Sequence, residues 1–234
     1  MNQRLLNLAS KLPEPMLRRF IRLYVNSKIK THVRLNVEGL ENLDTTFQRP
    51  FLFVCNHLSN ADALLLNKVL EKEDITFVAG KKLRANSVTK LGFKIVKSIP
   101  ISPDSPDMEA IKKIVAAVKA GNSILIFPEG TRSRSAKMNE GKRGILLFAK
   151  LTGAPIAPLA IWGSEKFMPI KEDMAEETFH NAKVHIRVGE VFRLPQKGGE
   201  EGKTMYEDRC FNQIMTGIAS LLPPAYQGVY EDKT

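Results

Sequence analysis

Three short apolar runs most constrain the fold of this 234-residue chain. They read FLFVC from Phe51, ITFVA from Ile75 and SILIF from Ser123. An apolar run without polar alternation is typical of a strand covered on both faces, as in a parallel sheet. Helical patterns lie between and after these runs, at 63–70, 87–97, 108–120 and 144–153. The alternation predicts an α/β fold with a largely parallel central sheet flanked by helices.

The remaining patterns extend this α/β prediction to the end of the chain. Further strands are predicted at 32–39, 99–101, 156–161 and 183–194, and a last helix at 205–222. We see no domain boundary after residue 32, and a chain that is 43% hydrophobic has enough apolar residues for one large core. We therefore predict an N-terminal segment, 1–32, followed by a single α/β domain, 33–234.

The N-terminal segment has the pattern of two amphipathic helices, 2–12 and 15–30. In the second, Leu17, Phe20, Ile21 and Tyr24 recur at helical spacing, and arginines and lysines occupy much of the rest. A basic amphipathic helix suits the headgroup region of an anionic bilayer. The same pattern also suits a solvated helix that packs on the domain through its apolar stripe, and spacing does not choose between the two.

The net charge of +10 indicates an anionic partner, which could be a lipid, an acidic protein or a phosphorylated substrate. The chain has no zinc-finger, basic-zipper or RNP signature, so we expect no nucleic acid. Its four histidines are scattered without paired ligand spacing, so we expect no metal. We also expect no cofactor.

The location is predicted from three sequence features. Two cysteines are too few for a disulfide scaffold and indicate a reducing compartment. No apolar run approaches the roughly 18 residues of a membrane-spanning helix. The polar residues Asn7, Ser10 and Lys11 interrupt the N-terminus, which makes it a poor signal peptide. We expect a peripheral protein at the cytoplasmic face of a membrane.

The stretch NHLSNAD, 56–62, follows the first apolar run and places His57 five positions before Asp62. Loops at the carboxyl ends of strands are where open α/β sheets bind ligands. A carboxylate in the first turn of the following helix can reach one ring nitrogen of the histidine and leave the other free to take a proton. This spacing fits a general base with its orienting acid, but it also fits a simple helix cap.

The stretch PEGTRSR, 128–134, occupies the equivalent position after SILIF. Gly130 permits close backbone approach, Thr131 offers a hydroxyl, and Arg132 and Arg134 offer bidentate anion contacts. The loop therefore looks like a clamp for an oxyanion or a phosphate. A carboxylate would repel phosphate, so we expect Glu129 to pair with an arginine or to accept hydrogen bonds from a loop or a substrate hydroxyl. It is not a Walker loop, because GxxxxGK[ST] is absent.

Together these stretches resemble the glycerolipid acyltransferase family, whose type member makes phosphatidic acid from lysophosphatidic acid. The family motif NHxxxxD is matched by 56–62, FPEGTRS by 127–133, and the later proline block by PIAPLAI, 155–161. The three motifs occur in the family's order and span about half of the predicted domain. NHxxxxD alone is weak evidence, whereas its combination with FPEGTRS is highly specific.

The resemblance implies an O-acyltransferase in phospholipid biosynthesis. His57 would be the general base on an acceptor hydroxyl, Asp62 would orient it, and no covalent acyl-enzyme would form. Glu129, Gly130, Thr131 and Arg132 would hold the acceptor. The acyl donor would be acyl carrier protein or coenzyme A, and the acceptor a lysophospholipid, most often 1-acylglycerol-3-phosphate.

The chain departs from the family in its second block. An acid and an arginine usually follow a strand there, but Pro103 and Asp104 stand where the arginine is expected. Lys82 and Arg84, with Lys81 beside them, are candidates to bind the phosphate instead. A different lysolipid or an amino-acid lipid precursor stays open as acceptor, as do a catalytically silent lipid- or phosphate-binding protein and a hydrolase that uses water as acceptor.

Overall fold

The computed structural model describes residues 12–80, 94–102, 107–169 and 178–233. Within these ranges the strands are β1 (Val33–Glu38), β2 (Leu52–Cys55), β3 (Ile75–Gly80), β4 (Lys97–Ile101), β5 (Ser123–Ile126), β6 (Ile156–Trp162) and β7 (Ala182–Val188). The helices there are α1 (Glu14–His32), α2 (Asp62–Val69), α3 (Met108–Lys119), α4 (Gly144–Thr152), α5 (Ser164–Phe167), α6 (Lys203–Ala219) and α7 (Pro224–Gln227).

The seven strands form one sheet in the order β1-β7-β6-β2-β5-β3-β4. All neighbouring pairs are parallel except β6 and β7, which are antiparallel. The central strands β6, β2, β5 and β3 therefore run in one direction and end at one edge of the sheet. This edge carries the loops that follow β2 and β5.

The continuous apolar runs are explained by helices on both faces of the sheet. In β2, Leu52 and Val54 point into the core beneath α3, α4 and α6. Their neighbours Phe53 and Cys55 point into a second core beneath α1 and α2. Because side chains alternate along a strand, a strand that is buried on both faces must be apolar at every position.

Helix α1 packs on the domain through its apolar stripe. Leu17, Ile21, Val25 and Ile29 are buried at i, i+4, i+8 and i+12 against the second core. The opposite face is exposed, and it carries arginines beside the apolar side chains of two residues, Met16 and Leu23. Packing against the domain thus uses only one face of the helix, and membrane contact by the other face stays a prediction.

The α/β class and the largely parallel sheet are confirmed. The helix predicted at 2–12 lies almost entirely outside the described residues, as does most of the one predicted at 87–97. The predicted end of the helix at 87–97 is wrong, because Lys97 begins β4 and pairs with Thr76 of β3. In the part of the chain that the structure describes, no helix has the length and apolarity needed to traverse a bilayer.

Candidate active site

The loop after β2 joins His57 to Asp62. His57 Nδ1 lies 2.7 Å from Asp62 Oδ2, and the same oxygen accepts the backbone N–H groups of Leu58 and Ser59 at 2.7 and 2.8 Å. Asp62 is fully buried in the first turn of α2, whereas the His57 side chain is 19% exposed. Because Nδ1 is engaged by the carboxylate, Nε2 is the nitrogen that can exchange a proton with a substrate.

Asn56 fixes this loop to the neighbouring strand. Its amide donates to the carbonyl of Ile161 and accepts the backbone N–H of Ile161, both at 2.8 Å. The side chain is fully buried, so these bonds replace the ones that water would make. The motif residue that precedes the histidine therefore attaches the loop to β6 in a fixed register.

The loop after β5 turns at Gly130, whose φ of +68° favours glycine. A Cβ on this residue would lie 3.0 Å from the Cδ and Cε atoms of Lys142. The backbone N–H of Lys142 donates to the carbonyl of Pro128 at 2.8 Å, which ties the two segments together. Glycine is favoured here by the backbone angle, whereas the flexible end of the Lys142 side chain would need to move by only a few tenths of an ångström to admit a Cβ.

Glu129 lies beneath these loops and is 2% exposed. Its Oε1 accepts the backbone N–H of His57 at 2.8 Å, and its Oε2 accepts that of Asn139 at 2.9 Å. Burial raises the pKa of this carboxyl from 4.5 to about 7, although the two N–H donors act in the opposite direction and the Asp62 charge adds to the rise.

A cavity of about 690 Å³ opens between these loops, α3 and α4. Its polar lining residues are His57, Asn60, Ser102, Asp107, Thr131, Arg132 and Lys142. The remainder is mostly apolar and is lined by Phe77, Val78, Ile101, Met108, Ile111, Ile126, Ile145, Leu147 and Phe148. The arrangement suits a molecule with an anionic end and a hydrocarbon chain, whose reacting group lies beside the histidine.

The structure brings several predicted site residues to one place. His57, Gly130, Thr131 and Arg132 line the cavity, and Asp62 lies directly behind the histidine. Glu129 is close to them but is covered by its own loop. Lys81, Lys82 and Arg84, the candidates for phosphate binding, lie outside the described residues.

Two further residues were missed by the sequence analysis. Lys142 lines the cavity next to Gly130, 12 positions along the chain, and no motif marks it. Phe127 stacks on the His57 ring, with 4.0 Å between ring centroids and an angle of 13° between the planes. The FPEGTRS motif includes this phenylalanine, but a motif alone does not show which ring it meets.

A family model described as Acyltransferase matches residues 34–162, which is more than half of the chain. The chain belongs to the Acyltransferase family. The family predicted from the NHxxxxD and FPEGTRS motifs is thereby confirmed, and all three motifs lie within the matched region.

Relatives of this acyltransferase-family chain come from plants and bacteria. It is 27% identical to the chloroplastic 1-acyl-sn-glycerol-3-phosphate acyltransferase BAT2 of Brassica napus, over 63% of this chain and 43% of that protein. It is also 27% identical to the 1-acyl-sn-glycerol-3-phosphate acyltransferase of Bacillus subtilis, over 60% of this chain and 65% of that protein. The chain thus matches less than half the length of the plant relative.

A solved structure confirms the fold of the acyltransferase-family chain. The crystal structure of the 1-acyl-sn-glycerophosphate acyltransferase PlsC from Thermotoga maritima superposes with a TM-score of 0.58 at 22% identity. The match covers 92% of this chain and 87% of that one. The likeness therefore extends beyond the motif region to nearly the whole chain.

The raised pKa of Glu129 predicts a pH-dependent stability. Between pH 4.5 and about 7 the carboxyl of Glu129 binds its proton more strongly in the folded chain than in the unfolded chain. Its contribution to stability is therefore present below pH 4.5 and is lost as pH rises through about 7. The total loss in unfolding free energy is roughly 3 kcal/mol. Glu129→Gln removes this titration. We expect the unfolding free energy of the wild type, relative to that of Glu129→Gln, to fall across this window.

Urea unfolding of the two proteins at a series of pH values measures this difference. A difference that stays constant, or that increases with pH, contradicts the raised pKa.

Proposed function

We propose that this protein transfers a fatty acyl group from a thioester donor to the hydroxyl of a lysophospholipid, with 1-acylglycerol-3-phosphate as the acceptor and phosphatidic acid as the product. The observation that carries the proposal is the His57–Asp62 pair, whose histidine lines a cavity that also has cationic and apolar side chains in its wall. The names of the plant and bacterial relatives agree with this acceptor.

The geometry supports a direct transfer with His57 as the general base. Nε2 takes the proton of the acceptor hydroxyl as its oxygen bonds to the thioester carbonyl carbon. The C–S bond then breaks, and the thiolate leaves with the proton that His57 has taken. Asp62 keeps the ring in one tautomer and stabilises the imidazolium that forms in between. Transfer by this route needs no covalent acyl-enzyme.

Cys55 is a poor candidate for a nucleophile, although it lies two residues before His57. Its side chain is fully buried between the sheet and the helices of the second core. Burial raises the pKa of this thiol well above its usual value, with the charges of Asp62 and Glu129 adding to the effect. A thiol that stays protonated and lies outside the cavity lining does not attack a thioester.

Cationic side chains of the cavity would hold the acceptor's phosphate. Arg132 and Lys142 both line the cavity, and Thr131 adds a hydroxyl. Lys142 supplies a cation that the family's second block does not provide in this chain, where Pro103 and Asp104 stand in place of the usual arginine. The absent arginine therefore does not exclude a phosphate-bearing acceptor.

The first experiment tests transfer itself. Purified protein and His57→Ala are incubated with acyl thioesters of coenzyme A or acyl carrier protein and with a panel of lysolipids, and products are followed by mass spectrometry. We expect phosphatidic acid from 1-acylglycerol-3-phosphate, and a loss of at least about 100-fold in His57→Ala, because general base catalysis contributes about 10²–10⁴-fold.

Circular dichroism and thermal unfolding check that His57→Ala is folded. Wild-type turnover in a folded His57→Ala would exclude the base mechanism. Product from another acceptor alone would keep the mechanism and change the substrate. Lipid binding without transfer from any acceptor or donor would favour a silent binding protein.

Arg132 should act on acceptor binding. We expect Arg132→Ala to raise the KM for 1-acylglycerol-3-phosphate about 10- to 100-fold, because hydrogen bonds to charged groups contribute about 1.5–3 kcal/mol. Arg134→Ala is the matched control, since Arg134 is exposed in the same loop and does not line the cavity. Steady-state kinetics that show the same KM change in both variants, or no change in Arg132→Ala, would contradict this role.

The location that we propose is peripheral, at the cytoplasmic face of an anionic membrane, with the exposed face of α1 in contact with headgroups. Arg19 and Arg22 lie on that face, and each basic residue near an anionic leaflet contributes about 1 kcal/mol. We expect Arg19→Ala/Arg22→Ala to weaken binding to phosphatidylserine-containing vesicles by roughly 30-fold.

Vesicle co-sedimentation measures this effect, with Lys113→Ala/Lys119→Ala as the control. These lysines are exposed on α3, which packs on the opposite face of the sheet. Equal losses in the two double variants would show that net charge matters and that α1 has no particular role.

A further inference from the structure

The loop after β5 contacts His57 from three directions. The His57 backbone N–H donates to Glu129 Oε1 at 2.8 Å, and its carbonyl accepts the backbone N–H of Ser133, also at 2.8 Å. The ring stacks on Phe127. Both polar backbone groups of the proposed base and one face of its ring are therefore occupied by a single seven-residue segment.

Glu129 makes the contact that a family-based assignment does not anticipate. Both of its carboxylate oxygens accept backbone N–H groups, one from His57 and one from Asn139. The side chain is 2% exposed and is absent from the cavity lining. Its position beneath the loops therefore suits a support and does not suit a ligand for the substrate.

The two buried carboxylates act on different parts of the same histidine. Asp62 Oδ2 holds the ring through Nδ1, while Glu129 Oε1 holds the backbone N–H of the same residue. The second oxygen of Glu129 extends the connection to Asn139, 10 positions further along the chain. A shift of about 1 Å in a reacting group can cost about 100-fold in rate, so a fixed backbone is as necessary as a fixed ring.

We propose that Glu129 is a positioning residue for the base: it fixes the His57 backbone relative to the phosphate-binding loop and does not contact the acceptor. This inference rests on the proposed acyl transfer and assigns Glu129 a role other than the acceptor binding that the family resemblance implies. The two roles predict changes in different kinetic constants when Glu129 is replaced. A substrate ligand changes KM, whereas a residue that positions the base changes kcat.

The experiment compares wild type, Glu129→Gln and Glu129→Asp at pH 8. Glutamine keeps one acceptor oxygen and places an NH₂ group against a backbone N–H, and aspartate is too short to reach both donors. We expect kcat to fall about 10- to 100-fold in each, with the acceptor KM within about threefold of wild type. Glu140→Gln is the control, because Glu140 is an exposed carboxylate in the same region, and it should be unchanged.

A KM increase at unchanged kcat would overturn the proposal and restore acceptor binding. Unchanged kcat and KM in both folded variants would overturn it as well. Thermal unfolding separates these outcomes from a loss of folded protein. Two substitutions are used so that the test still holds if one of the variants does not fold.

Histidine NMR gives a second reading that needs no turnover. In protein labelled with ¹⁵N-histidine, the His57 ring signals are assigned by their absence in His57→Ala. We expect Glu129→Gln to shift these signals and to leave those of His32, His180 and His185 unchanged. Unchanged His57 signals would overturn the proposal. Since this reading does not use a substrate, it distinguishes failure of the positioning role from failure of the proposed acyl transfer.

Discussion

Burial of the central strands on both faces decides where this protein can carry chemistry. The side chains of β2 and β5 alternate between two apolar cores, and only Ile126, at the end of β5, reaches the cavity, so within the strands themselves there is little room for a charged group to meet a substrate. Polar residues begin where the strands end, with Asn56 directly after β2 and Glu129 three residues after β5. Because both strands are parallel and adjacent, their loops meet at one edge of the sheet.

Backbone N–H groups stabilise the buried carboxylates at this edge. Asp62 Oδ2 accepts two such groups in addition to the histidine ring, whereas Asp62 Oδ1 has no hydrogen-bond partner in the described part of the chain. Both oxygens of Glu129 accept one backbone N–H each. Ionised carboxylates in an apolar interior are costly unless they are bonded in this way. The loops therefore have to supply hydrogen-bond donors to both carboxylates. Two of these hydrogen bonds, from the ring and the backbone N–H of His57, also fix the position of the histidine.

The cavity combines two environments that the proposed substrates require. Arg132 and Lys142 line it together with mostly apolar side chains, of which Met108 and Leu147 are exposed. An acyl chain would gain favourable burial against the apolar side chains, and a phosphate would gain charge-assisted hydrogen bonds from the cationic ones. His57 lines the same cavity, so one space offers a base and both kinds of contact.

The sequence by itself determined the α/β class, the strands at its centre and the two loops that carry the His57–Asp62 pair and the PEGTR turn, because apolar runs and local motifs are short-range signals. It did not determine that β4 begins at Lys97, since that strand is set by pairing with β3. Only the tertiary structure placed Lys142 against Gly130, Phe127 on the His57 ring, and Glu129 under the His57 backbone. The contacts of Phe127 and Glu129 depend on how the loops that follow β2 and β5 pack together, and that of Lys142 depends on how the segment after β5 folds back on itself. Spacing along the chain does not record which atoms meet in either case.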